Sequence, residues 1–211
     1  MTSTTMRLEK LLPPARPGKP WRACLEGGEV LHIPEGTVAD HALYQGMELG
    51  EETLTALKAA ASTALLRERA VGWLSHRPLS AGELKERLRA KGATPGQAEE
   101  ITAWVQAIGL LNELDYAKAL VGHYQAKGYG LYKIKDELYR RKVPREHWEE
   151  ALGEMEAPDD AIDRFLAKRV TDPTDRKQLK KASDALARRG FSWSQVAEGI
   201  ERLREGTDWR D

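Results

Sequence analysis

The sequence contains one cysteine, Cys24, in 211 residues. An internal disulfide and a zinc cluster built from cysteine pairs are both excluded. It also lacks long apolar runs. No stretch approaches the ~18 residues that a membrane span requires, and Met1–Lys10 has no apolar core of the signal-peptide kind. These absences point to a protein of the reducing cytoplasm, away from membranes; the chain is expected to be a monomer. Net charge is missing too: 33 Lys and Arg balance 33 Asp and Glu. That argues against a protein that holds nucleic acid by bulk charge alone.

Recognisable catalytic patterns are absent as well. The five histidines are scattered, and none stands four residues from another, as a zinc-binding helix requires. Gly128-Tyr-Gly130 before Lys133 has too few glycines for a phosphate cradle and follows no strand pattern. The pairs Glu99-Glu100, Glu149-Glu150 and Asp159-Asp160 project about 100° apart on a helix, so neither partner shares a site with the other. Cys24 has no activating base nearby in sequence and reads as a small packed residue. The chain therefore reads as no enzyme, with no cofactor and no metal.

Patterning is abundant by contrast. Proline is dense in residues 1–20 (Pro13, Pro14, Pro17, Pro20), which read as a flexible, extended leader. Trp21–Leu25 and Val30–Ile33 flank Gly27-Gly28 and predict a β-hairpin. A short helix over Thr37–Tyr44 completes a segment 21–50. From Glu51 onward every strong pattern is helical. Ser80 with Glu83 forms a capping box, and Thr94-Pro95 with Gln97 forms another.

A unit of about 50 residues then recurs. Glu83-Leu-Lys-Glu-Arg-Leu-Arg-Ala-Lys-Gly92 aligns with Lys133-Ile-Lys-Asp-Glu-Leu-Tyr-Arg-Arg-Lys142 and with Lys181-Ala-Ser-Asp-Ala-Leu-Ala-Arg-Arg-Gly190. Each string has an apolar pair at i and i+4, then basic residues and a helix end, then a new helix start. The predicted fold is mainly α: three tandem three-helix repeats (51–111, 112–157 and 158–206) in an elongated, curved arrangement behind the hairpin.

These same residues resemble the RecX family. Trp21–Ile33 is similar to its N-terminal segment. Ala70-Val-Gly-Trp-Leu74 with Ser80-Ala-Gly-Glu-Leu84 resembles its first-repeat signature, as does Gly109-Leu-Leu-Asn112 leading into Asp115-Tyr-Ala117. Lys127-Gly-Tyr-Gly130 followed by Ile134 and Glu137-Leu138 is similar to the second. The resemblance covers about residues 20–205. Two positions depart from it: Lys142 stands where the family has glycine, and Glu113-Leu114 where it often has an aspartate. The resemblance implies a non-catalytic regulator in homologous recombination and DNA repair. Its implied partner is the RecA nucleoprotein filament on single-stranded DNA, with inhibition of ATP hydrolysis and strand exchange.

The charges alternate in blocks. Residues 127–145 hold seven basic side chains against two acidic, residues 146–160 hold only acidic ones, and residues 161–190 hold nine basic against four acidic. Candidate contacts to RecA or DNA are Lys127, Tyr129, Tyr132, Lys133, Lys135, Arg140, Arg141, Lys142 and Arg145 in the first basic block. Those in the second are Lys168, Arg169, Arg176, Lys177, Lys180, Lys181, Arg188 and Arg189. Tyr129 and Tyr132 interleave with lysines, as in single-strand binders; the plainer reading is a solvated loop with one ring tucked inward. Helix-dipole preference alone accounts for Arg140–Lys142 and Arg188–Arg189 at helix ends. It does not account for Arg176–Lys181 at a helix start. The alternative function is a helix-turn-helix-like DNA-binding transcriptional regulator. The third helices, near 97–108, 146–155 and 195–204, are largely apolar or acidic, which disfavours groove insertion.

Overall fold

A computed structural model describes residues 5–16 and 18–206. It divides into two compact units, Met1–Pro78 with Leu84–Leu110 and Leu79–Glu83 with Leu111–Asp211.

The first unit opens with a strand, β1 (Met6–Leu12), inside the stretch read as a free leader. Met6 and Leu8 alternate with Arg7 and Glu9, a half-buried strand pattern that the prolines overshadowed, and Leu8 is fully buried. Pro13 and Pro14, which lack amide donors, follow β1 at once. Residues 1–4 and Pro17 of that leader lie outside the described residues. The predicted hairpin is present as β2 (Trp21–Leu25) and β3 (Val30–Ile33). Gly27 and Gly28 both take φ near +90°, at 89° and 86°, as a tight hairpin turn demands. The short helix α1 spans Glu35–Asp40, earlier than Thr37–Tyr44, because Pro34 caps its start and Ala42 turns left-handed after it. With β4 (Glu48–Leu49) the strands form one antiparallel sheet in the order β3-β2-β1-β4. Leu8, Leu25, Ile33 and Leu49 bury one face of the sheet against Leu57 of α2 (Glu51–His76). Helix α3 (Ala81–Ala90) starts in the second unit and belongs to the first from Leu84 on, followed there by α4 (Pro95–Ala107), which the predicted Thr94–Gln97 capping box opens.

The second unit contains α5 (Glu113–Ala126), α6 (Leu131–Arg140), a 3-10 turn (Arg145–His147), α7 (Trp148–Gly153), α8 (Asp159–Arg169), α9 (Arg176–Arg188) and α10 (Trp193–Glu205). Two cores fill it. Ala117, Val121, Ile134, Leu138 and Ala151 make one, and Ile162, Leu166, Ala182, Leu186 and Val196 the other.

The repeat read from the sequence is a repeat of backbone geometry. The apolar pairs Leu84/Leu88, Ile134/Leu138 and Ala182/Leu186 are all buried. Each pair ends in a residue of positive φ: Gly92 at 90°, Lys142 at 56° and Gly190 at 90°. The next amide then returns to the same carbonyl in every copy: Ala93 to Leu88 (3.1 Å), Val143 to Leu138 (3.0 Å) and Phe191 to Leu186 (3.2 Å). This is a Schellman cap repeated three times. Lys142 accepts the left-handed conformation without being glycine, at about 1 kcal/mol of local strain. Among the described residues no helix is long and apolar enough to cross a membrane.

Candidate anion-binding surface

Two joints in the second unit decide which basic residues face solvent. In the first, the start of α3 meets the end of α6. The Ser80 hydroxyl accepts from the Glu83 amide (3.0 Å) and donates to the Arg141 carbonyl. The Glu83 carboxylate takes the Ser80 amide (3.3 Å), the Tyr116 hydroxyl (2.9 Å) and the Arg141 guanidinium (3.1 Å). The predicted capping box is thus extended into a network. The Ala81 amide donates to buried Glu113 (2.5 Å), and the stem of Lys142 lies against Gly82. Burial works against the charge of Arg141, but the bond to Glu83 outweighs it and holds the guanidinium above its ordinary value.

In the second joint, the start of α6 meets the end of α9 through backbone. The Gly130 amide donates to the Arg189 carbonyl (2.8 Å) and the Tyr132 amide to the Gly190 carbonyl (3.1 Å). Orphan donors of one helix thereby satisfy orphan acceptors of the other. A Cβ on Gly130 would overlap the Gly190 carbonyl, and one on Gly190 would overlap the Lys133 backbone.

Around this second joint, cations and rings alternate. The Arg169 guanidinium lies 5.5 Å from the Phe165 ring centre. Arg189 lies 4.8 Å from the same ring and 5.7 Å from Tyr129. Tyr129 meets Tyr124 at 5.6 Å, and the Lys127 ammonium stands 6.0 Å from Tyr124. These distances fall within the range of cation–π attraction. Arg189 also donates to the Gly128 carbonyl (3.4 Å). Residues up to 62 positions apart thus form one ladder, and its three cations make no ion pair among the described residues.

Helix α9 carries the second basic feature. Asp175 caps it, accepting from the Lys177 (2.7 Å) and Gln178 (3.3 Å) amides. That carboxylate offsets the unfavourable dipole felt by Arg176 and Lys177 in the first turn. Leu179, Ala182 and Leu186 point into the core, so Arg176, Lys177, Lys180, Lys181 and Arg188 share the exposed side with Asp184. None of these five cations is ion-paired among the described residues.

The remaining candidates are placed differently. Lys133 and Arg140 both neutralise buried Glu137, at 3.4 and 2.8 Å. Burial would raise the pKa of Glu137, but hydrogen bonds from Tyr124 and Lys133 and the nearby Arg140 hold it below the usual carboxylate range. Arg145 lies over the Trp148 ring at 5.5 Å. Lys135, Lys142 and Lys168 are exposed. Tyr132 is exposed and Tyr129 half-buried. Tyr139, which the sequence reading passed over, is 68% exposed; its signal was the seven-residue spacing from Tyr132. The acidic block 146–160 is exposed but partly paired within the fold. Glu154 and Glu150 bind Lys118 at 2.7 and 3.0 Å and push its pKa up to about 12. No cluster of His, Cys, Asp or Glu suited to a metal ion occurs among the described residues.

Residues 112–152, which contain α5, α6 and all but the last residue of α7, match the family model described as RecX, second three-helix domain. A Regulatory protein RecX of Chromohalobacter salexigens is 34% identical over 144 residues, 67% of this chain and 94% of its own length. The chain belongs to the RecX family. A second RecX regulatory protein, from Prosthecochloris aestuarii, is 28% identical over 137 residues, covering 64% of this chain and 91% of itself. A crystal structure of regulatory protein RecX superposes with a TM-score of 0.74 over 93% of this chain and 99% of that one, at 20% identity. RecX from Lactobacillus salivarius superposes with 0.60 over 69% and 98%, also at 20%. The RecX fold, helical repeats behind a small antiparallel sheet, is therefore the fold of this chain.

Proposed function

We propose that this RecX-family protein is a cytoplasmic negative regulator of the RecA recombinase. It binds the RecA filament on single-stranded DNA, performs no chemistry of its own, and lowers ATP hydrolysis and strand exchange. Family membership supports the choice of partner. The observation that carries the contact surface is the exposed face of α9, where Arg176, Lys177, Lys180, Lys181 and Arg188 stand without ion pairs among the described residues. Five unneutralised cations on one face suit a polyanion, whether acidic side chains of the filament or the phosphates inside it. Inhibition follows if the protein binds better to a filament state that does not turn over ATP.

The test is RecA ATP hydrolysis on single-stranded DNA with this protein at sub-stoichiometric and equimolar ratios. A clear fall is expected, and no change with folded protein removes the inhibitory role. Replacing Lys177, Lys180 and Lys181 together by Glu is expected to weaken filament binding at least about tenfold while leaving the melting temperature unchanged. Unchanged affinity would remove the α9 face from the proposal.

A further inference from the structure

Tyr132 and Tyr139 lie two turns apart on α6, about 10 Å along its axis. They are 63% and 68% exposed. Lys135, also exposed, lies between them on the same side, while Ile134 and Leu138 fill the core on the other. Asp136 also lies between the two tyrosines on the other flank of this face, exposed, with one oxygen 3.9 Å from the Lys133 ammonium. Packing does not require rings at these positions. The corresponding residues of the other copies are Gly82, Lys85 and Arg89, and Lys180, Ser183 and Ala187, none of them aromatic. One exposed tyrosine is ordinary. Two on one helix face with a cation between them, directly after the Tyr129–Arg189 ladder, form a surface of flat rings and positive charge.

We infer that this face of α6 is a stacking platform for unpaired bases, and that Tyr132 and Tyr139 make the protein prefer single strands to duplex. The inference deepens the proposed function, and rests on it, because the filament of that reading holds single-stranded DNA. A lysine attracts the phosphates of either form. A ring gains only from a base whose face is open, and pairing hides those faces inside the duplex stack. The gap of about 10 Å leaves room for two or three nucleotides between the rings, given about 3.4 Å per stacked base.

The experiment uses the full chain without RecA. Fluorescence anisotropy compares a labelled oligo-dT with a duplex of equal length across a salt series. The unmodified protein is expected to bind the single strand more tightly. The pair Tyr132→Ala, Tyr139→Ala is expected to lose at least about tenfold in single-strand affinity. Duplex affinity and the salt slope should stay unchanged, because no cation is removed. The pair Tyr132→Phe, Tyr139→Phe keeps the rings and is expected to bind as the unmodified protein does. Equal affinity for the two DNA forms, an alanine pair that binds normally, or a phenylalanine pair that fails like the alanine pair would each overturn the inference. RecA ATPase assays on the same proteins separate it from the filament reading. If the unmodified protein lowers ATPase and the alanine pair still binds oligo-dT normally, only the platform falls. Tyrosine-dependent oligo-dT binding by a protein with no effect on ATPase sinks only the filament reading.

Discussion

The two joints of the second unit bring a helix start onto a helix end in the same way, with opposite chemistry. At the first, Ser80, Glu83, Tyr116 and Arg141 connect through side chains. At the second, Gly130 and Tyr132 donate amides straight to the carbonyls of Arg189 and Gly190. The difference follows from where the space is surrendered. Position 142 carries a lysine, so the incoming chain yields with Gly82. Position 190 is glycine, so the Lys133 backbone moves in directly. A shared architecture therefore does not imply shared sensitivities; three measurements can separate the joints, and a fourth probes the buried carboxylate of α6 beside them.

The largest effect is expected at the backbone joint. Gly190→Ala must hold a left-handed φ of 90° and overlap the Lys133 backbone, a loss of about 3 kcal/mol from strain and overpacking together. Denaturant unfolding of the full chain measures it. A loss below about 1 kcal/mol, the scale of left-handed strain alone, would show that the joint yields easily. Next comes Glu83→Ala, which removes the capping carboxylate and its bonds to the Arg141 guanidinium and the Tyr116 hydroxyl; about 2 kcal/mol is expected, since Glu83 is largely shielded from solvent.

Acid probes the buried carboxylate of Glu137, which lies outside both joints and pairs with Lys133 and Arg140. Glu137 has its folded pKa below the unfolded value, so the stability it contributes is present above the ordinary glutamate range near 4 and is lost as pH falls through the folded value. Unfolding followed from pH 7 to 3 is expected to show this fall, and Glu137→Gln should flatten it. The joint of amides and carbonyls has no titrating group of its own. A variant with the same acid slope as the unmodified chain would contradict the assignment. The smallest effect is Lys142→Gly. It relieves left-handed strain at φ 56° but frees the unfolded chain and removes the stem packed on Gly82, so a net gain of at most about 1 kcal/mol is expected. A clear loss of stability would mean that the lysine stem matters more than its backbone.

The repeat was legible in the sequence because its signals are local. Ser80 and Glu83 are three residues apart, and Leu138 and Lys142 four, so capping boxes and the left-handed end could be read directly. Even the departure at Lys142 proved to be the same backbone carrying a different side chain. Strand β1 was obscured because a short alternation, Met6 to Glu9, preceded a conspicuous run of prolines. The surface was less legible, because charge alone does not reveal a partner. Arg141 and Glu83 are 58 positions apart, and nothing local marks that arginine as bonded inward. The ladder of Arg169, Phe165, Arg189, Tyr129, Tyr124 and Lys127 exists only once the helices are packed. Tyr139 was legible in principle, since its spacing from Tyr132 is helical, but it lies outside the Tyr129–Tyr132 stretch where rings and lysines interleave.

The backbone joint also bears on how such a protein can change over time. A contact made of peptide groups asks little of side-chain identity: two positions must stay small, and their neighbours are free to drift. Mutations accumulating along α6 and α9 can therefore remodel what the surface recognises while leaving the helices seated as before. Solved RecX structures that retain the fold at 20% identity are the kind of divergence that such a joint permits.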